Sequence, residues 1–371
     1  MFITCNQSDL IKTLNIVIRA VPSRSTIDIL SCVVIKTIGD TINLVANDID
    51  FGIESVLSGT VNEGGSIALG AKIFTDIVRK LPNDTVTIKT DDTLRATITC
   101  GKSVFKIAGR GTDDYPDLPE VKKDKKITIS QFSLKDVINK TIFAASTNET
   151  VKILTGEYFE VSDNRLRVTA LDNHRIAVRS IDLVDNNDNV KAIIPAKTLN
   201  EVSRIISGEV SENIDIYFDQ RFLVFEFDDT VITSRLIEGD YIDIHKMISD
   251  DYETKVHLNR ISLLEQLDSA SPLITESEKK PIIFDITDKN MNLSANTSIG
   301  SLNSDMDIEK EGRDIMIGFN PHFLMDAVKA IDDETIDLYF TNQKAPCFIK
   351  DEDNSYKYVV LPVNFSTSDV E

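Results

Sequence analysis

Tryptophan is absent from this 371-residue chain, and histidine and cysteine are scarce, at four each. Cys5, Cys32, Cys100 and Cys347 lie far apart, with no CxxC and no His-paired spacing, so no zinc site or other metal is expected. Scattered cysteines of this kind fit a reduced, cytoplasmic protein. No run of about 18 apolar residues occurs, which removes any candidate transmembrane helix. The opening "MFITCNQSDLIKTL" lacks a basic segment followed by an apolar one and does not read as a secretion signal. Catalytic signatures are missing as well: there is no GxSxG, HExxH, P-loop or GxGxxG. Neither an enzyme activity nor a cofactor is expected.

What is present suffices for large cores, with 42% apolar residues and 17 Phe. A chain of this length exceeds what one core usually serves, so two or three domains are expected. The net charge of −20 argues at first sight against a nucleic-acid partner, because phosphate binding normally brings a basic surface. The charge is uneven, however. Residues 1–120 carry 12 Lys and Arg against 15 Asp and Glu, residues 121–245 carry 16 against 21, and residues 246–371 carry 12 against 24.

The chain repeats itself three times. "SDLIKTLNIVIRAV" from Ser8, "SQFSLKDVINKTIFAAS" from Ser130 and "LNRISLLEQLDSASPLI" from Leu258 each read as an amphipathic helix, with Ser8 and Ser130 as N-caps of the first two. A strand and turn follow: "INLVANDIDFGIES", "LRVTALDNHRIAVRS" and "MNLSANTSIGSLNS", whose matching alanines are Ala46, Ala170 and Ala295. Second helices align at Ala71, Ala196 and Pro321, and short alternating strands close each copy. Even the exits agree, with Tyr115 in "DDYPDLP" and Tyr241 in "GDYIDIH". The reading is an α+β protein of three tandem domains, at 1–120, 127–246 and 254–366, with 367–371 as an acidic polar tail. Two helices and several antiparallel strands per copy place the helices on one face of the sheet.

In this order, "SRSTIDIL", "DDYPDLP", "ILTGEYFE", "TALDNHRIAV" and the closing "YVVLPV" resemble the bacterial DNA polymerase III beta subunit family, the sliding clamps, over residues 1 to about 363. The resemblance implies a homodimeric ring closed head to tail, helices inside and sheets outside, with double-stranded DNA through the hole. It implies as partners the replicative polymerase, the clamp loader and other proteins carrying a clamp-binding peptide. The groove for that peptide would comprise Leu154, Leu171, Asn173, His174, Arg175, Ile176, Ile242, Lys246, Met247, Val359, Leu361, Pro362 and Val363. His174 and Arg175 would form its polar rim, and Asn173, where relatives often carry glycine, still tolerates positive φ. A basic and an apolar residue often follow the last strand in this family, but Asn364 and Phe365 stand there in this chain.

The helices implied to line the hole are neutral to positive, unlike the chain as a whole. Arg24, Lys72, Arg79, Lys80, Lys140, Asn148, Lys152, Lys197 and Arg204 are the implied DNA-facing residues. Sliding demands a weak lining, because each cation fixed on a phosphate adds affinity. In the third copy Arg260 is outweighed by Glu265 and Asp268, so its helix contributes little. At the dimer joint the implied pairing sets the strand around Lys102, Phe105 and Ile107 against Leu273 and Ile274. Two other readings of the residues stand beside this one: an acidic scaffold that binds proteins without DNA, and a hydrolase built on Asp172, His174 and Arg175. The latter would still need a nucleophile.

Overall fold

The computed structural model describes residues 1–183, 187–244, 247–248, 251–274, 280–353 and 355–366. Each repeat contributes two helices: α1 (Gln7–Val17) and α2 (Ala71–Lys80), α3 (Gln131–Asn139) and α4 (Ala196–Ile205), α5 (Arg260–Ala270) and α6 (Pro321–Lys329). The second helices start at the three aligned positions, and Ala46, Ala170 and Ala295 are buried in corresponding strands. One cap differs from expectation. Helix α1 begins at Gln7 with Asn6 as N-cap, so Ser8 lies inside it. Side-chain caps occur instead in the third repeat, where Asn259 Oδ1 accepts from Ser262 N at 2.9 Å and Asn320 Oδ1 from His322 N at 3.0 Å. The acidic tail at 367–371 lies outside the described residues.

The chain forms two compact units, and the middle repeat is shared between them. The first unit comprises Met1–Gln131 and Arg204–Leu236. Its sheet has 13 strands, paired antiparallel throughout the described residues. Strand Thr230–Arg235 of the middle repeat pairs with Phe51–Leu57 of the first, Ile232 opposite Ile53, and Ser55 Oγ lies 2.9 Å from Thr230 Oγ1 across that buried joint. The alternation read from the sequence is met in Arg95–Cys100, where Ala96, Ile98 and Cys100 point inward. Helix α1 buries Leu10, Leu14 and Val17, and α2 buries Phe74, Ile77 and Val78, each on one stripe.

The second unit comprises Phe132–Ser203 and the chain from Ile237 onward. Its larger sheet has nine strands, and its joint is the pairing of Arg175–Asp182 with Tyr356–Val360, Ile176 opposite Val359. A four-stranded sheet packs into the same core, centred on Phe284, Phe319, Phe340 and Tyr358. Beyond the last strand, Val363 N donates to Gly318 O at 2.8 Å, and Phe365 lies where a side chain on residue 318 would clash, at 2.9 Å. Only glycine lets that closing segment lie so near.

Candidate functional site

The turn after strand Arg165–Leu171 is built by one carboxylate. Asp172 Oδ1 accepts from His174 N at 2.7 Å and from Arg175 N at 3.0 Å, and Asp172 N donates back to Arg175 O at 3.1 Å. The side chain thus does the work of a turn, and Asn173 does not adopt positive φ. The equivalent residue of the first repeat, Ile49, does, at 80°.

Arg175 is the largest departure from the sequence reading. Its Nε donates to Asp172 Oδ2 at 3.2 Å and its Nη1 to Asp326 Oδ2 on α6 at 2.5 Å. The guanidinium also lies against the rings of Phe143 and Phe323, 5.4 and 4.7 Å from their centroids. Mostly buried and doubly paired, it ties the turn to α6 and does not stand on an open rim. His174 is exposed, and its ring stacks on Phe323 at 5.4 Å. Among the described residues the imidazole makes no hydrogen bond, so no base–nucleophile pair of a hydrolase is assembled.

Beside this turn lies an apolar cluster of Leu154, Leu171, Ile176, Val178, Ile244, Phe348 and Val359, with Ile242 and Tyr339 packed against it. Leu361 is 40% exposed at its edge, and Leu361 N donates to His174 O at 2.8 Å, which joins the terminal segment to the turn. Met247 is 49% exposed, and Pro362 and Val363 are half-buried. Lys246 lies outside the described residues. The sequence reading missed Phe323 and Phe348. Their helix and strand come from the third repeat, and only the 175–182 to 356–360 pairing brings that repeat to the turn.

The residues assigned to DNA separate into two groups. Arg24, Lys72, Arg79, Lys80, Asn148, Lys152, Lys197 and Arg204 are exposed. Lys140 is not. It is buried, its Nζ pairs with Asp136 at 2.7 Å and with Asp332, and its carbonyl accepts from Tyr358 Oη at 3.0 Å. An ammonium neutralised by two carboxylates is an internal anchor, so its assignment to DNA is corrected.

At the assigned joint, Phe105 is 36% exposed and Ile107 half-buried on strand Ser103–Arg110, while Lys102 sits in the turn before it. That strand pairs along its length with Arg95–Cys100, but on its other side only Gly109 and Arg110 have sheet partners among the described residues. Leu273 and Ile274 are not a strand; Leu273 ends a short 3₁₀ turn. The edge strand there is Gly300–Asp307, and Leu273 packs beside Gly300.

Comparison with known proteins decides the family. The N-terminal, central and C-terminal domains of the DNA polymerase III beta subunit match residues 1–119, 128–243 and 245–364. The chain belongs to the DNA polymerase III beta subunit family. Beta sliding clamps of Staphylococcus epidermidis and Staphylococcus aureus are 33% and 34% identical to it over 374 residues, covering 98% of this chain and 99% of theirs. The crystal structure of a putative DNA polymerase III beta subunit from Eubacterium rectale shares 49% identity at a TM-score of 0.96, covering 99% of this chain and all of that one. The Bacillus subtilis DNA polymerase sliding clamp shares 31% at 0.95, with the same coverage. The function is that of a DNA sliding clamp, and the three repeats are three tandem clamp domains. The acidic scaffold without DNA is not favoured.

Proposed function

We propose that two copies of this chain close head to tail around duplex DNA and that the cluster beside Asp172–Arg175 receives a short peptide from the polymerase, the clamp loader and other partners. The observation that carries the peptide site is the meeting, in one unit, of the turn, the terminal segment and α6 around an apolar floor that ends in exposed Leu361 and Met247. Leu, Ile and Val suit a pocket for an aliphatic or aromatic anchor, with His174 on Phe323 as one wall. Met247 adapts to partners of different shape. Clamping is a topological and tethering role, and no catalytic step is assigned to the chain, whose place of work is the bacterial cytoplasm.

Retention by the ring rests on shape. An acidic chain repels the duplex, and the exposed cations of α2 and α4 give a weakly attractive lining that lets DNA slide. Open edges at Ser103–Arg110 and Gly300–Asp307 supply backbone pairing for the joint between copies, with Phe105, Ile107 and Leu273 beside it. The domain limits we assign are 1–120, 127–246 and 254–366. Loaded protein should stay on nicked circular DNA and leave once that DNA is linearised. Release from the intact circle at the same rate would end the topological reading.

A further inference from the structure

In the first unit a cavity of about 800 Å³ lies between residues 112–120 and the strands Cys32–Ile38 and Thr41–Asn47. The covering segment is pinned along its length. Ser66 Oγ and Thr112 Oγ1 are 2.7 Å apart, Asn47 Nδ2 donates to Pro116 O at 3.2 Å, and Leu118 fills the space that a side chain on Gly52 would need. The cavity is therefore part of the fold.

The middle repeat has the same cavity, at about 290 Å³. The two match residue by residue. Val34 faces Val45 and Ala68 where Tyr158 faces Thr169 and Ile193; Lys36 faces Asn43 and Ser66 where Glu160 faces Arg167 and Lys191. Tyr115 Oη donates to Cys32 O at 3.4 Å, and Tyr241 Oη donates to Gly156 O at 3.5 Å, the first residues of corresponding strands.

What fills the cavity in one copy is missing in the other. In the middle repeat the Tyr158 ring stacks on Tyr241 with centroids 5.1 Å and planes 8° apart, and Arg167 and Lys191 line the space with Glu160 and Asp243. Val34, Asn43 and Ser66 stand at the positions of Tyr158, Arg167 and Lys191 in the first repeat, so one planar ring and two cations are gone. The carboxylates of Glu54, Asp117 and Glu120 line the space there, Asp117 and Glu120 exposed at its mouth, with Lys36 already paired to Glu54 at 3.1 Å.

We infer that this cavity is a docking site for an arginine side chain on a segment of a partner protein. A guanidinium supplies both missing features at once: a plane to stack on Tyr115 as Tyr158 stacks on Tyr241, and a charge to meet Asp117 and Glu120. A lysine supplies only the charge. The site is distinct from the groove beside His174 and does not rest on it.

The test uses the full chain and acetyl-Gly-Arg-Gly-amide, read by saturation-transfer NMR, with the lysine analogue as control. Transfer to the arginine side chain is expected, several-fold weaker for lysine. Val34→Tyr, which restores the ring of the middle repeat, should abolish it, and Ser66→Lys should weaken it at least tenfold. An unchanged urea unfolding midpoint and far-ultraviolet circular dichroism of Val34→Tyr report that the chain is folded; were folding lost, Ser66→Lys would decide alone. Absence of transfer to the wild type at millimolar peptide, equal transfer to lysine, or unchanged transfer in the deciding variant would each overturn the assignment.

Discussion

At the scale of residues, two neighbours in the turn do different work. His174 is exposed, where the proposed peptide would meet it, whereas Arg175 holds Asp172 and Asp326 together. His174→Ala should weaken a polymerase-derived peptide about tenfold, which is about 1.4 kcal/mol, and leave the urea midpoint unchanged. Arg175→Ala should cost about 3 kcal/mol of stability, the low end for a broken buried pair, because Asp326 is 40% exposed. Equal stability of the two variants would contradict this division. Glu157 offers a pH test. It is fully buried, Thr141 Oγ1 donates to its Oε1 at 2.8 Å, and its Oε2 has no partner, so desolvation holds its carboxyl well above the usual range. The native state then binds a proton that the unfolded chain releases above a pH of about 4.3. Stability from this group is complete below that value and falls as pH rises toward the folded pKa. Glu157→Gln should therefore be less pH-dependent, with an advantage over wild type in urea that grows from pH 5 to pH 8. A constant difference across that range would show Glu157 to be ionised in the native state. The local pairs Asp172–Arg175 and Asp136–Lys140 are within reach of the sequence, but the long-range partners Asp326, Asp332 and Thr141 are not. Lys140 read as a lining cation because its partner Asp332 lies far along the chain, and Arg175 read as a rim for the same reason.

At the scale of elements, the repeat spacing transmitted more than propensity did. Ala71, Ala196 and Pro321 mark helix starts because each follows a strand and precedes a one-sided apolar stripe, and that pattern is local. Ser8 failed as a cap for an equally local reason, since Asn6 closes the preceding strand and leaves the helix to start at Gln7. Strand Gly300–Asp307 escaped notice as a sheet edge because an edge is defined by what does not pair, which no single segment reveals. Its exposed face carries Asn303 and Asp305, bonded to Asn290 and Asn292 of the neighbouring strand, and the bonds to Asp305 hold its carboxyl below the usual range. With those side chains engaged within the sheet, the open edge offers its backbone groups to a joint. Phe105→Arg sets a charge in the apolar part of that joint and should shift a dimer of about twice the 41.4 kDa chain toward monomer, by tenfold or more in dissociation constant. Sedimentation would read it, and because backbone pairing and apolar contact are insensitive to salt, the wild-type dimer should persist in about 0.5 M NaCl. Dissociation by salt alone would point to an ionic joint.

At the scale of the whole molecule, triplication was visible in the sequence, but the division of the middle repeat between two units was not. Strand Thr230–Arg235 completes a sheet begun in the first repeat, and Arg175–Asp182 continues into strands of the third. That continuity is a product of strand pairing over long separations, and it sets the turn at Asp172–Arg175 beside strands of the third repeat, a setting the described residues give it once although the fold occurs three times. The first repeat keeps the turn as "ANDIDFGIES" and the third as "ANTSIGSLNS", without His or Arg. The charge pattern acts at this scale too. If the exposed cations Arg24, Lys72 and Lys80 attract the duplex only weakly, reversing all three to Glu should reduce loading onto nicked circular DNA without dissociating the dimer. Wild-type binding to linear duplex should be weak already. It should fall further between about 50 and 200 mM salt, by roughly threefold for each phosphate that a cation neutralises, while protein already on the circle stays there. The two effects separate attraction from enclosure: attraction answers to salt and to the three cations, enclosure to the closed joint alone. Protein that left the closed circle in step with its loss from linear DNA would show that attraction, and not enclosure, did the retaining.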